Sequence, residues 1–347
     1  MKIKRVVLIV VGLCLVLAAT FAFVVYGIFF KPNTKFQEET TYVHIPTNAS
    51  FDEVVGLLDP LLENKGKFVT AAKRKGYSDY FKSGRYAIKK GMNNNEIINS
   101  LRSKNLPVKL SFNNQETLAD LAGRVSLQIE ADSLSLLEAF KDTDFLKSNG
   151  FNEDTALSMY VPNSYEFFWN TSAEGFRERM LKEHGRFWNE NRLAKAKKLG
   201  MSPAEVSTLA SIVHKETVKV DERPRVAGVY HNRLKKGMLL QADPTVIYAI
   251  KKHTGNFDTI IKRVLYRDLE LDSPYNTYRK AGLPPGPIAM PDISAIDAVL
   301  APEKHDYYYF VANVENFGYH KFAKTLAQHN RNKVQYVRWI NAQKIKR

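Results

Sequence analysis

Cysteine is nearly absent. The 347 residues hold one, Cys14, inside the first hydrophobic run, so no disulfide can form within the chain and no Cys-based metal cluster is possible. An oxidising compartment is permitted but not demanded. Histidine adds little: the eight present form no HExxH pattern, and the grouping of His214, Glu216 and His231 lacks metal-ligand spacing. Charge is missing from Val6 to Phe30, and no second apolar run of that length follows. Acidic residues are the minority, 36 against 51 Lys and Arg, for a formal net charge of +15. With 44% hydrophobic and 25% charged residues, the chain is globular and not disordered. Its length suits about two domains with a substantial core.

The uncharged run from Val6 to Phe30 makes about 37 Å of helix, enough to cross a bilayer with some tilt. A cleaved signal peptide has a shorter apolar core and a small-residue cleavage site. Here the run is longer and ends in aromatics suited to an interface, Tyr26, Phe29 and Phe30. The expectation is an uncleaved single-pass anchor in the cytoplasmic (inner) membrane. Lys2, Lys4 and Arg5 keep a short tail, residues 1–5, in the cytoplasm. Everything beyond Lys31 is then extracytoplasmic, or periplasmic where there is an outer membrane. The basic surface thereby loses nucleic acid as a partner and gains cell-wall polymer or the membrane surface.

Residues 31–41 read as a linker. Residues 42–110 read as a small α+β unit: a strand at 42–46, a helix capped within Thr47–Ser50, a strand and Gly turn around Ser83–Gly91, a helix around Glu96–Leu101, and an alternating strand at Val108–Phe112. Helical spacing recurs at Thr117–Leu127 and Ser133–Phe145. The aromatic stretch Tyr160–Trp169 suits a loop or strand whose rings belong to the core more than to a sugar surface. Glu174–Lys198 reads as one long charged helix.

The most informative stretch follows. Ser202 suits an N-cap, Pro203 the first helical position, and Glu205 completes a capping box. Val206, Leu209, Ala210, Ile212 and Val213 recur at helical spacing. Glu216 extends that stripe, three residues past Val213 and four past Ile212. His214 and Lys215 fall off it. A helix-end carboxylate is ordinarily paired with a nearby Lys or Arg. On an apolar stripe it is a local inconsistency of the kind that marks functional sites. Burial raises its pKa, and an acid still protonated near neutral pH is what proton donation requires.

Beyond it, Pro224 ends one helix or begins the next, which runs through Val226, Val229 and Tyr230 to a stop at Gly237. Asp243, before Pro244 and Thr245, is placed to cap a third helix. Rigid turns follow at Ser273–Tyr278 and Gly282–Ile288. This block resembles the YceG-like family of endolytic murein transglycosylases. The likeness is carried by Leu209–Val213 with Glu216, Val226–Val229 with Asn232–Leu234, Gly237–Met238, Leu240–Gln241 with Asp243–Tyr248, Tyr275–Tyr278, Gly282–Ile288, and Tyr309–Ala312 with His320, Phe322, His329 and Asn330. In the upstream unit, Gly84, Tyr86, Ile88, Gly91 and Glu96–Leu101 resemble a LysM-type glycan-binding module, the alternative being a packing unit that binds nothing.

The resemblance implies an α+β chain: a transmembrane helix (6–30), a LysM-like subdomain (42–110) and a larger mixed α+β catalytic domain (111–347). It implies cleavage of the MurNAc–GlcNAc β-1,4 bond of peptidoglycan to leave 1,6-anhydro-MurNAc ends, terminating nascent strands, beside peptidoglycan synthases. No cofactor and no metal are implied. Glu216 matches the family's catalytic acid, which first protonates the leaving oxygen and then takes the proton of the attacking C6 hydroxyl. Many relatives have an acid two places earlier, where this chain has His214. Asn232, Gln241, Asp243, Thr245, Tyr248, Asn276 and Tyr278 are the expected glycan-orienting residues, with Asp243 weighted toward a structural part. A hydrolase with Asp243 or Glu222 as second carboxylate, and a non-enzymatic wall-binding scaffold, are the rival readings.

Overall fold

The fold is that of a computed structural model describing residues 2–342. It is mixed α+β and divides into two compact units. One holds the chain up to Leu110 with Gln128–Ala131 and Glu166–Ser172; the other holds Ser111–Leu127, Asp132–Tyr165 and the chain from Ala173 onward.

The first unit begins with α1 (Lys2–Phe29), an apolar helix long enough to cross a membrane. Nearly every side chain from Ile3 to Val24 is exposed. After it come β1 (Thr40–Ile45), α2 (Phe51–Leu58), α3 (Lys65–Arg74), β2 (Gly84–Lys89) and α4 (Asn94–Leu101). β1 and β2 pair antiparallel, Thr40 opposite Lys89 and Ile45 opposite Gly84. Ser50 with Glu53 and Asn93 with Glu96 form reciprocal capping boxes that start α2 and α4. Ile45, Leu58, Phe68, Ile88 and Ile97 are wholly buried between strands and helices.

The segment read as a linker is tied down at its start. Asn33 is 3% exposed and exchanges hydrogen bonds with the Asn64 backbone at 2.8 and 3.1 Å. It also donates to Asn94 Oδ1 at 2.7 Å, while Asn94 Nδ2 donates to the Ile28 carbonyl at 2.6 Å. Two buried amides thus fasten the end of α1 and the following residues to the unit. This is the usual way a buried polar side chain satisfies its groups.

β3 (Pro107–Phe112) precedes the helices of the second unit, α5 (Leu118–Ser126), α6 (Ser133–Lys141) and α7 (Thr143–Ser148). The helix expected over Ser133–Phe145 breaks at Asp142. That residue ends α6, and its carboxylate accepts from the Asp144 and Phe145 amides to start α7. β4 (Asn163–Phe168) pairs with β3. Tyr160 and Phe167 are buried, Tyr165 and Trp169 are half-buried and Phe168 is exposed, so the stretch expected to belong to the core does so only in part. The charged helix expected over Glu174–Lys198 is two helices, α8 (Ala173–Phe187) and α9 (Glu190–Leu199). Trp188 turns into the core at 4% exposure, and Asn189 caps α9 by accepting from the Arg192 amide.

The remaining elements are α10 (Pro203–Glu216), α11 (Arg223–Lys235), α12 (Asp243–Thr254), α13 (Ile293–Leu300), β5 (Tyr309–Ala312), β6 (His320–Ala323) and α14 (Leu326–Ala342). Pro224 lies in the first turn of α11. Leu209, Ile212 and Val213 of α10 meet Val226, Ala227 and Tyr230 of α11 and Ile296 and Val299 of α13 in one core. Gly228 permits a close crossing: a Cβ there would lie 2.5 Å from the Glu303 carbonyl and 2.6 Å from His305 Nε2. β5 and β6 form an antiparallel hairpin, Ala312 opposite His320.

Candidate active site

α10 begins as its sequence dictates. Ser202 N donates to Glu205 Oε2 at 2.7 Å, and Glu205 N returns to Ser202 Oγ at 3.3 Å. The capping box fixes the phase of the helix, and the phase carries Glu216, its last residue, to the core-facing side. Ser211, wholly buried, locks this register: it donates to the Thr208 carbonyl at 2.7 Å and accepts from the Ile288 amide at 3.0 Å.

Glu216 is closed off on the protein side and open toward a pocket of about 440 Å³. Tyr230, 1% exposed, donates its hydroxyl to Glu216 Oε1 at 2.7 Å. Burial pushes the Glu216 carboxyl up to about 7. The Tyr230 hydrogen bond and the positive charges of His320 and Arg233 oppose this, and the Asp243 carboxylate adds to it. One oxygen is engaged by Tyr230, which leaves the other to carry a proton facing the pocket.

A larger polar cleft of about 650 Å³ is bordered by Asn113, Asn114, Asn163 and Asp292. Its acid is unsuited to proton donation. Burial pushes Asp292 up, but hydrogen bonds from Asn114 and Arg223 and the His214 and Arg223 charges outweigh it and hold the carboxyl below the usual range. The smaller pocket is the candidate site because it contains the one acid raised toward neutrality among the described residues.

Of the glycan-orienting residues expected from the sequence, three border this pocket with Glu216: Gln241, Asp243 and Tyr278. Tyr278 donates to Asp243 Oδ1 at 2.6 Å. Asp243 is the first residue of α12 and not its cap; Ala242 holds that position without a side-chain bond. Gln241 has φ 49°, a left-handed conformation that costs a non-glycine residue energy and recurs at functional sites.

The other four do not border it. Asn232 donates to the His305 and Tyr307 carbonyls at 2.8 and 3.1 Å. Thr245 is wholly buried and bonds the Ala242 carbonyl at 2.7 Å and Thr277 at 2.8 Å. Asn276, also wholly buried, donates to the Leu269 and Leu271 carbonyls. Tyr248 packs on Tyr275, 4.7 Å between ring centroids, and faces a different pocket. All four hold the loops that carry the pocket. His214 points away from Glu216 into a cluster with Asp292, 3.2 Å, and Arg223, 3.3 Å. His231 meets the Val299 carbonyl at 3.0 Å.

Sequence reasoning gave no site role to much of the wall, although Arg233, Tyr309, Phe310, His320 and His329 are among the residues that carry the family resemblance. Tyr230 and Arg233 come from α11, whose spacing showed them only as helix residues. Arg233 donates to the Tyr308, Leu239 and Leu240 carbonyls. Tyr309, Phe310 and His320 come from the hairpin, and His329, Lys333 and Tyr336 from α14. Behind His320 lies Glu222, 5% exposed, which accepts from His320 N at 2.7 Å and meets Nδ1 at 2.8 Å. Burial pushes the Glu222 carboxyl up, but the bonds from His320 and Thr217 outweigh it and keep it below the usual range.

Comparison with known proteins identifies the family. Residues 43–335 match the model of the YceG-like family. An endolytic murein transglycosylase of Bacillus subtilis (strain 168) is 32% identical over 326 residues, covering 88% of each chain. A protein of the same name from Streptococcus pneumoniae serotype 2 is 28% identical over 85% of this chain and 58% of its own length. The crystal structure of a YceG-like protein from Listeria monocytogenes aligns with a TM-score of 0.57 at 32% identity, covering 85% of this chain and 99% of that one. On the family match and the extent of these likenesses, the chain belongs to the YceG-like family.

Proposed function

We propose that this protein is an endolytic murein transglycosylase that cleaves the MurNAc–GlcNAc β-1,4 bond within peptidoglycan strands and leaves 1,6-anhydro-MurNAc ends. The relatives' names support the class of activity. One observation supports the chemistry: a single carboxyl, Glu216, is raised by burial to about 7 and faces a pocket with one oxygen free. An acid in that range is partly protonated at neutral pH and can protonate a departing sugar oxygen.

A hydrolase needs a second carboxylate as nucleophile or as base for water. Here the sugar's own C6 hydroxyl is the nucleophile, so one acid suffices for bond cleavage. Asp243 is in the same pocket but accepts from Tyr278, which suits it to holding the wall. Gln241, Asp243 and Tyr278 orient the sugar, and Asn232, Thr245, Tyr248 and Asn276 hold the loops behind them. Tyr309, Phe310 and Tyr336 supply ring faces of the kind that stack on pyranoses.

In this reading α1 is a single-pass anchor in the cytoplasmic membrane with the pocket on the outer side. Its length and exposed apolar surface favour a lipid surround. Cutting within a strand near that membrane ends the strand's growth beside the synthases that extend it. The strand–helix–helix–strand unit is a LysM-like wall-binding module in the same reading, although Tyr86, Ile88, Ile97 and Leu101, which carry that likeness, are buried packing residues.

The test is digestion of purified glycan strands with product ends identified by mass spectrometry. Anhydro ends are expected from the wild-type chain and none from Glu216→Gln. Reducing ends would point to the hydrolase, and an active Glu216→Gln would reject the assignment of the acid.

A further inference from the structure

The proposed reaction has two proton transfers. One proton goes to the leaving oxygen, and one leaves the attacking C6 hydroxyl. In the one-residue scheme Glu216 serves both in turn. The pocket contains a second group built for proton transfer, and nothing in that scheme uses it.

That group is His320. It opens β6 and borders the same pocket as Glu216. Its Nδ1 lies 2.8 Å from Glu222 Oε2, and its backbone amide donates to Glu222 Oε1 at 2.7 Å. The Glu222 side chain is only 3% exposed, and it also takes a hydrogen bond from Thr217, the residue that follows Glu216. A carboxylate accepts and does not donate, so it assigns the proton to Nδ1 and leaves Nε2 as the basic nitrogen. Among the described residues no hydrogen bond engages Nε2. Phe310 and Phe322 flank the ring edge-on, with centroids 5.0 and 6.4 Å away, which restricts its rotation. A buried carboxylate that fixes the tautomer of an imidazole and compensates the charge it gains is the arrangement found behind general-base histidines.

We propose that His320, held by Glu222, is a catalytic residue of this site: its Nε2 takes the proton of the C6 hydroxyl while Glu216 acts as the acid. The inference rests on the transglycosylase reading and divides between two residues the work that reading gives to one. The balance is complete. The O6–H bond gives its proton to Nε2, and its electron pair forms the C1–O6 bond. The C1–O4 bond breaks, and the departing oxygen takes the proton of Glu216. The site is left as imidazolium and carboxylate, and one proton returning from His320 to Glu216 restores it. Glu222 touches no substrate and is a positioning residue.

The test uses the full-length protein in detergent micelles with purified glycan strands, reading release of anhydro-ended products. His320→Ala is expected to lower kcat by about 100-fold or more, the usual contribution of a general base, with KM within about threefold of wild type. Added imidazole should restore at least about tenfold of that loss, because it supplies the missing base. It should not restore Glu216→Gln. Glu222→Gln should lower kcat and respond to imidazole less than His320→Ala does. His320→Gln keeps a donor toward Glu222 and loses only the base, so it serves if the alanine variant does not fold; its kcat should fall equally. A folded His320→Gln with wild-type kcat, or a His320→Ala loss that imidazole leaves unrelieved, overturns the proposal. If the wild-type chain gives anhydro ends and His320→Gln matches it, this inference alone falls. If the wild-type chain gives only reducing ends, the parent reading falls and takes this one with it.

Discussion

Replacing Glu216 by glutamine should inactivate the protein and, above neutral pH, make it more stable. The carboxyl has an ordinary value of 4.5 and is pushed by burial to about 7. Between those values the folded chain binds the proton and the unfolded chain has released it, so the unfolded state binds fewer protons. Stability therefore falls as pH rises through that window. Each tenfold change in proton affinity is worth about 1.4 kcal/mol. At pH 8 the buried carboxylate costs the wild type on the order of 3 kcal/mol, and at pH 5 under about 1 kcal/mol. Glutamine bears no charge at either pH, and its amide oxygen still accepts from Tyr230, which now donates at 2.7 Å. Any fixed effect of the amide is the same at both pH values and cancels. Urea unfolding of wild-type and Glu216→Gln chains at pH 5 and pH 8 measures the difference directly. The variant should gain about 2 kcal/mol relative to wild type between the two. A stability difference of the same size at both pH values, or one that shifts in favour of wild type from pH 5 to pH 8, would mean that the carboxyl is not held out of water, and the acid role would go with it.

Three further substitutions probe the site and the packing around it. Tyr230→Phe removes the hydrogen bond that lowers the Glu216 carboxyl, so the alkaline limb of kcat/KM should move above about 7 by roughly half a pH unit to one; a limb that stays or moves down would contradict the geometry. Ser211→Ala strips the Ile288 amide of its partner and should cost about 1–3 kcal/mol in thermal unfolding, the penalty for an unpaired buried group. Gly228→Ala drives a methyl into the Glu303 carbonyl and His305 and should cost about 1–3 kcal/mol of overpacking; a variant with wild-type melting would show that the crossing has room.

The elements that were legible in the sequence are those whose signal is local. Capping boxes at Ser50, Asn93, Thr117 and Ser202 start helices where hydrogen bonds within four residues decide the matter. The errors fall where one residue plays against its neighbours' periodicity. Asp142 and Asn189 each begin a new helix inside a run whose apolar spacing continues past them. Their side chains offer the backbone amide acceptors that a helix interior does not need, and tertiary packing of Trp188 settles the second break. The buried amide Asn33 was unreadable for a different reason: a short polar stretch has the composition of a linker until its partner, here Asn94, 61 residues away, is known.

The site divides along the same line. Glu216 was found because a helix repeats every 3.6 residues and a carboxylate on the apolar stripe breaks the repeat. The rest of the pocket has no such period. His320 lies in a four-residue strand over a hundred residues downstream, and Glu222 sits in the short turn between α10 and α11. Neither is unusual for its own segment. What makes them a pair is a contact across 98 positions, closed by a hairpin that only the fold brings beside α10. Four of the seven polar residues expected to hold the glycan instead hold the loops that shape the pocket, bonded to carbonyls, to a buried hydroxyl or packed ring on ring. A family motif records which residues a site cannot lose, and a residue that sets a loop is as hard to lose as one that touches the sugar. Separating the two required knowing where each donor points, which spacing along a chain does not encode.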